Sequence, residues 1–143
     1  MKSGIRHVGI VVQDIEKSIN FWREHFDFSI FLDQIEEGPF IEHLLNMPSV
    51  KVRTVKMNAE DNSLIELLYF FKRDDIDQWR GNLTSTGLTH IALNVSNLDK
   101  KIDDLVFKGY KLVNQPRKSE NGSVRVVFVE GPEGLLLELV ESV

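Results

Sequence analysis

Apolar and β-branched residues fill positions 5 to 12, the pattern of a buried strand, and Asp14 follows as a helix N-cap. Ile15, Ile19, Trp22 and Phe26 then recur at helical spacing and predict an amphipathic helix of about three turns. The second half repeats the opening. A strand is predicted near 88 to 95, Asn97 caps a helix with Leu98, Ile102 and Leu105 on one face, and Gly109 stops it. Three further strand-like runs follow each helix, near 28 to 33, 51 to 58 and 63 to 70, and near 110 to 114, 123 to 129 and 135 to 141. Each half therefore reads βαβββ.

The likeness extends to individual residues. His7-Val-Gly-Ile-Val-Val-Gln-Asp-Ile-Glu-Lys-Ser-Ile19 aligns without a gap on His90-Ile-Ala-Leu-Asn-Val-Ser-Asn-Leu-Asp-Lys-Lys-Ile102. The segment from Val52 to Leu67 aligns likewise on Val124 to Leu139, so that Glu66 falls on Glu138 and Arg53 on Arg125. The chain is a tandem duplication in which each half keeps one histidine near its start and one glutamate near its end. The predicted organisation is a single domain over 1–143, made of modules 5–70 and 88–141 joined by a linker over 71–87.

One feature breaks the symmetry. The first half carries 11 extra residues between helix and third strand, around Glu36 to Pro48. Such an insertion is either a substrate-contacting lid, with Phe40 and His43 as its contacts, or a surface helix over a sheet edge.

A net charge of −5, with acids and bases interspersed over 143 residues, argues against a nucleic-acid partner. The absence of cysteine excludes disulfides, thiolate ligands and thiol nucleophiles, and suits a reducing compartment. Met1-Lys-Ser-Gly-Ile5 lacks the apolar core of a signal peptide, and no apolar run reaches the roughly 20 residues that span a bilayer. A cytoplasmic protein with no membrane partner is the expectation.

Glu66 and Glu138 sit in the runs Ile65-Glu-Leu-Leu68 and Leu137-Glu-Leu-Val140, where an unpaired charge costs several kcal/mol. Two such glutamates at equivalent positions, with two histidines at equivalent positions, point to a shared cation. The bland alternative is one His–Glu ion pair per module, or glutamates on solvated edge strands. Two imidazoles and two carboxylates suit Ni²⁺, Co²⁺, Zn²⁺, Mn²⁺ or Fe²⁺ better than Cu⁺, and leave room for one or two waters. His7, Glu66, His90 and Glu138 are the candidate metal ligands.

Strand alternation places Gly9 and Val11 on the face of His7, Ala92 and Asn94 on that of His90, Leu64 and Leu68 on that of Glu66, and Leu136 and Val140 on that of Glu138. Asn94 is the polar candidate for orienting substrate on an otherwise small, apolar wall. Arg53 and Arg125 are expected to make an equivalent structural salt bridge. His25 reads as a surface or lid residue, Trp22 as core, and Trp79 as a residue that packs at the module junction.

Taken together, the His7 to Trp22 segment, Ile65-Glu-Leu67, Thr89 to Val95 and Gly131 to Leu139 resemble the vicinal oxygen chelate superfamily, which holds glyoxalase I, methylmalonyl-CoA epimerase, fosfomycin-resistance proteins and extradiol dioxygenases. The resemblance covers nearly all of residues 5 to 141 and implies an α+β fold: paired βαβββ modules in an open, incomplete β-barrel, with a divalent metal in the cleft, commonly as a homodimer. A His, Glu, His, Glu set is that of bacterial glyoxalase I. The epimerases usually have Gln at the position of Glu66, while dioxygenases and fosfomycin enzymes use three of the four positions. The basic residue that bacterial glyoxalase I carries soon after its first histidine is absent, since Gly9, Ile10, Val11 and Val12 stand there.

The implied activity is that of a lyase, isomerase or epimerase. It deprotonates carbon next to a carbonyl of a small oxygen-chelating substrate and stabilises the enediolate on the metal, with Glu138 as base and Glu66 as ligand or second acid/base. A non-catalytic drug-binding protein of the same fold and an Fe²⁺ dioxygenase using His7, His90 and Glu138 are the alternatives.

Overall fold

The computed structural model describes residues 3–79 and 82–143. Of the predicted linker, residues 80 and 81 lie outside the described residues, as do Met1 and Lys2 of the N-terminal segment. The chain divides into two compact units, Met1–Asp77 and Gln78–Val143. Each is built on its own sheet, and the elements are α+β as the sequence predicts.

In the first unit β1 (Val8–Val11) leads to α1 (Ile15–Phe26), then β2 (Ser29–Glu37), α2 (Pro39–Leu45), β3 (Lys51–Asn58) and β4 (Leu64–Phe70). The sheet order is β1-β4-β3-β2. Asp14 caps α1, its carboxylate accepting from the backbone N–H of Lys17 at 3.0 Å. Ile15, Ile19, Phe21 and Trp22 turn one face of the helix inward, while Val55, Met57, Ile65 and Leu67 are buried in the sheet. Trp22 is 1% exposed and meets Phe28 edge to face with ring centres 5.0 Å apart.

His25 departs from expectation. It is 5% exposed and its ring lies 5.5 Å from that of Phe21, one helical turn away. It follows Phe21 and Trp22 on the buried side of α1, its ring tilted 54° to that of Phe21.

The sequence places the second strand at 28 to 33, but β2 continues to Glu37. Its acidic second half is held by polar cross-strand bonds rather than by burial. Arg53 donates to both oxygens of Asp33 at 2.9 and 2.8 Å, and the Thr54 hydroxyl donates to Glu36 at 2.6 Å. The inserted segment is therefore largely α2. This helix sets Ile41 into a cluster with Val50 and Val52, against which Leu45, Met47, Leu68 and Phe70 pack.

In the second unit β5 (Ile91–Asn94) and α3 (Leu98–Phe107) are followed by β6 (Lys111–Leu112), β7 (Arg117–Lys118), β8 (Val124–Glu130) and β9 (Leu136–Ser142). The order is β5-β9-β8-β6, with β7 also pairing with β8. Asn97 caps α3 through Lys100 N–H at 3.0 Å, and Gly109 ends it with φ of 91°. The predicted run 110 to 114 is reduced to a two-residue strand, and β7 is additional.

Helix and sheet are tied alike in both units. Arg53 donates to Glu16 on α1 at 2.6 Å, and Arg125 donates to Asp99 on α3 at 2.7 and 3.0 Å. Glu16 and Asp99 are themselves repeat equivalents, so each unit keeps the same bridge. The Arg53–Asp33 and Arg125–Asp99 bonds hold the two aspartate carboxyls below their ordinary range.

Candidate metal centre

Each histidine stands one residue before its unit's first strand, and each glutamate stands on the last strand, which pairs parallel to the first. The register puts Gly9 opposite Glu66 and Ala92 opposite Glu138. Both partners are small, and the two glutamate side chains are 15% and 25% exposed. The sheet presents Ile65 and Leu67, or Leu137 and Leu139, to the core and the glutamate between them to the opposite face.

In the first unit His7 Nε2 lies 3.7 Å from Glu66 Oε1. Glu66 Oε2 is approached by Lys56 Nζ at 3.5 Å. His7 Nδ1 is buried and without a hydrogen-bond partner among the described residues. In the second unit His90 Nε2 lies 3.1 Å from Glu138 Oε2, while its Nδ1 lies 2.8 Å from the Thr89 hydroxyl. A threonine hydroxyl both donates and accepts, so it can hold the tautomer that leaves Nε2 as a lone pair. Phe128 packs edge to face on His90, with ring centres 5.0 Å apart.

The donor chemistry fits a divalent ion. Two donors at about 2.1 Å from one ion stand roughly 3.0 to 3.6 Å apart when they subtend about 90 to 120°. The second pair lies within that span and the first just beyond it. Each unit by itself supplies two donors. Among the described residues no group of three or more His, Asp or Glu side chains is gathered about one point.

The remaining candidates fall elsewhere. Asn94 is exposed at the end of β5, opposite Val140. On α2, Phe40 is 75% exposed and His43 is exposed as well, since the helix seats Ile41 and Leu45 instead. Trp79, expected to pack, is exposed at 43%. A cleft of about 440 Å³, lined by Asn46, Met47, Val50, Lys51, Phe71 and Lys72 among others, opens beside α2, and none of the four candidate ligands lines it.

Lys56 is the residue that sequence reasoning missed. It is the direct register partner of Glu66, while Phe128 is that of Glu138. The signal was present in the repeat alignment, which sets a lysine against a phenylalanine.

Residues 4–139 match the family described as the Glyoxalase/Bleomycin resistance protein/Dioxygenase superfamily. The chain is 28% identical over 136 residues to the "Probable lactoylglutathione lyase" of Synechocystis, covering 95% of this chain and 93% of that one. It is 26% identical over 143 residues to the mitochondrial methylmalonyl-CoA epimerase of Dictyostelium discoideum, covering 96% and 78%. Among solved structures, a glyoxalase family protein from Bacillus cereus superposes with a TM-score of 0.90 at 26% identity, over 97% of this chain and 93% of that one.

Proposed function

The chain belongs to the glyoxalase/bleomycin resistance protein/dioxygenase superfamily, and from that premise we propose that it is a divalent-metal-dependent lyase, isomerase or epimerase. Its reaction is removal of a proton from carbon beside the carbonyl of a small substrate that offers two vicinal oxygens. The observation that carries this reading is the His–Glu pair repeated at equivalent positions of both units, with 3.7 and 3.1 Å between donors.

His7, Glu66, His90 and Glu138 would hold the ion, one of Ni²⁺, Co²⁺, Zn²⁺, Mn²⁺ or Fe²⁺. When bound, it would supply Lewis-acid stabilisation of negative charge on the substrate oxygens. Glu138 takes the proton. Its Oε1 has no partner among the described residues, whereas both oxygens of Glu66 are engaged, one by His7 and the other by Lys56. Glu66 serves as ligand and, where the proton is returned to the other face, as the second acid/base. Thr89 fixes the ring of His90, and Phe128 packs edge to face against it.

Metal content of protein purified without chelator tests the reading, beside the His7→Ala and Glu138→Ala variants. Near-stoichiometric transition metal, lost from both variants, is the expected result. No metal, and no heat stabilisation on adding these ions, would leave a small-molecule binding protein and overturn it.

A further inference from the structure

Lys56 stands directly across the sheet from Glu66, its ammonium 3.5 Å from Oε2. The second unit keeps the same strand pair but sets Phe128 opposite Glu138. One hairpin thus presents a cation beside its candidate ligand, and the other presents a phenyl ring. The Lys56 side chain is only 23% exposed, so its charge is partly withdrawn from water, a cost that contact with Glu66 offsets.

A divalent ion changes that balance. Two carboxylates and two neutral imidazoles around a dication already sum to zero, and Glu66 then has no charge left over for Lys56. On the other side of β3 the register partner of Lys56 is Leu32, which offers none. Glu36, farther along β2, is engaged by the Thr54 hydroxyl. The surplus ammonium is left one contact distance from whatever binds at Glu66.

Resting on the function proposed above, we infer that Lys56 is a specificity residue: it fits the site to a substrate that carries a carboxylate next to its chelating oxygens. The carboxylate replaces Glu66 as the partner of Lys56. A lysine present only to neutralise Glu66 would be indifferent to the charge of the ligand.

Two probes separate these roles. Acetohydroxamate presents vicinal oxygens, and oxalohydroxamate is the same chelator with a carboxylate in place of the methyl group. Calorimetric titration of both into Mn²⁺-loaded wild type should show a preference of roughly tenfold or more for the carboxylated probe. Lys56→Met should erase that preference while still binding acetohydroxamate, and Lys56→Arg should keep it, with thermal melts verifying that both variants are folded. The same preference in Lys56→Met, or none in wild type, overturns the inference and leaves the metal reading standing. Where wild type does not retain Mn²⁺ the titrations are run with Ni²⁺, Co²⁺ or Zn²⁺, and failure to retain any of these ions overturns both.

Discussion

The Thr89 hydroxyl lies 2.8 Å from Nδ1 of His90, whose Nε2 lies 3.1 Å from Glu138. One imidazole is thus gripped at both nitrogens. Its equivalent, His7, keeps a buried Nδ1 without a hydrogen-bond partner among the described residues, and the repeat sets Arg6 where the second unit has Thr89. Partners that orient a ligating histidine commonly contribute 10- to 100-fold in affinity, so Thr89→Val should weaken Mn²⁺ binding by about tenfold or more. Calorimetry measures the affinity, and an unchanged value would leave Thr89 without a role at the site.

A folded state that binds an ion is stabilised by it. At about a hundredfold excess over the dissociation constant the gain is about 2.7 kcal/mol. Wild type should therefore melt at higher temperature as Ni²⁺, Co²⁺ or Mn²⁺ is added, and His90→Ala should show no such rise. Scanning fluorimetry at several ion concentrations reads both.

Two neighbours on α2 should behave oppositely. Ile41 is buried in the cluster with Val50 and Val52, and Ile41→Ala should cost about 2 to 5 kcal/mol. Phe40 is exposed, and Phe40→Ser should stay within about 0.5 kcal/mol. Urea denaturation of the two variants provides the comparison. Equal losses would mean that the helix does not seat on the sheet through Ile41.

Asp33 and Asp99 have carboxyls held below the ordinary value of 3.8, chiefly by hydrogen bonds from Arg53 and Arg125. The unfolded chain then binds protons more readily than the folded one, so stability rises with pH through this window. The contribution is complete above the ordinary value and is lost as pH falls through the lowered one. Melting temperature should drop in acid below about pH 5, and an Asp33→Asn, Asp99→Asn double variant should show a shallower drop. Both pairs are partly solvated, which keeps the difference small.

What could be read in the chain follows from what each feature depends on. The helices, their caps and the glutamate-bearing strands were legible, because Asp14, Asn97 and Gly109 act locally and a buried strand must be apolar. The duplication singled out His7, Glu66, His90 and Glu138; the structure shows one His–Glu pair in each unit, the bland alternative of the sequence reading, and the shared ion is the proposal built on them. The length of β2 was not. Asp33-Gln-Ile-Glu-Glu37 is polar, and its strand conformation depends on Arg53 and Thr54 reaching across from β3. Lys56 escaped notice because its meaning depends on strand register, which no local pattern gives. His25 was misplaced because the aromatic face that buries it is defined by its neighbours.

The parallel pairing of β1 with β4, and of β5 with β9, has a consequence for how the protein is made. In each unit the histidine leaves the ribosome long before the glutamate, and the two meet only when the last strand closes against the first. Contacts of such sequence separation form late, after the helix and the hairpin have condensed. A nascent or partly opened unit therefore offers an isolated imidazole, too weak to hold an ion by itself. If the four residues share one ion as proposed, its capture would report that both units have finished folding.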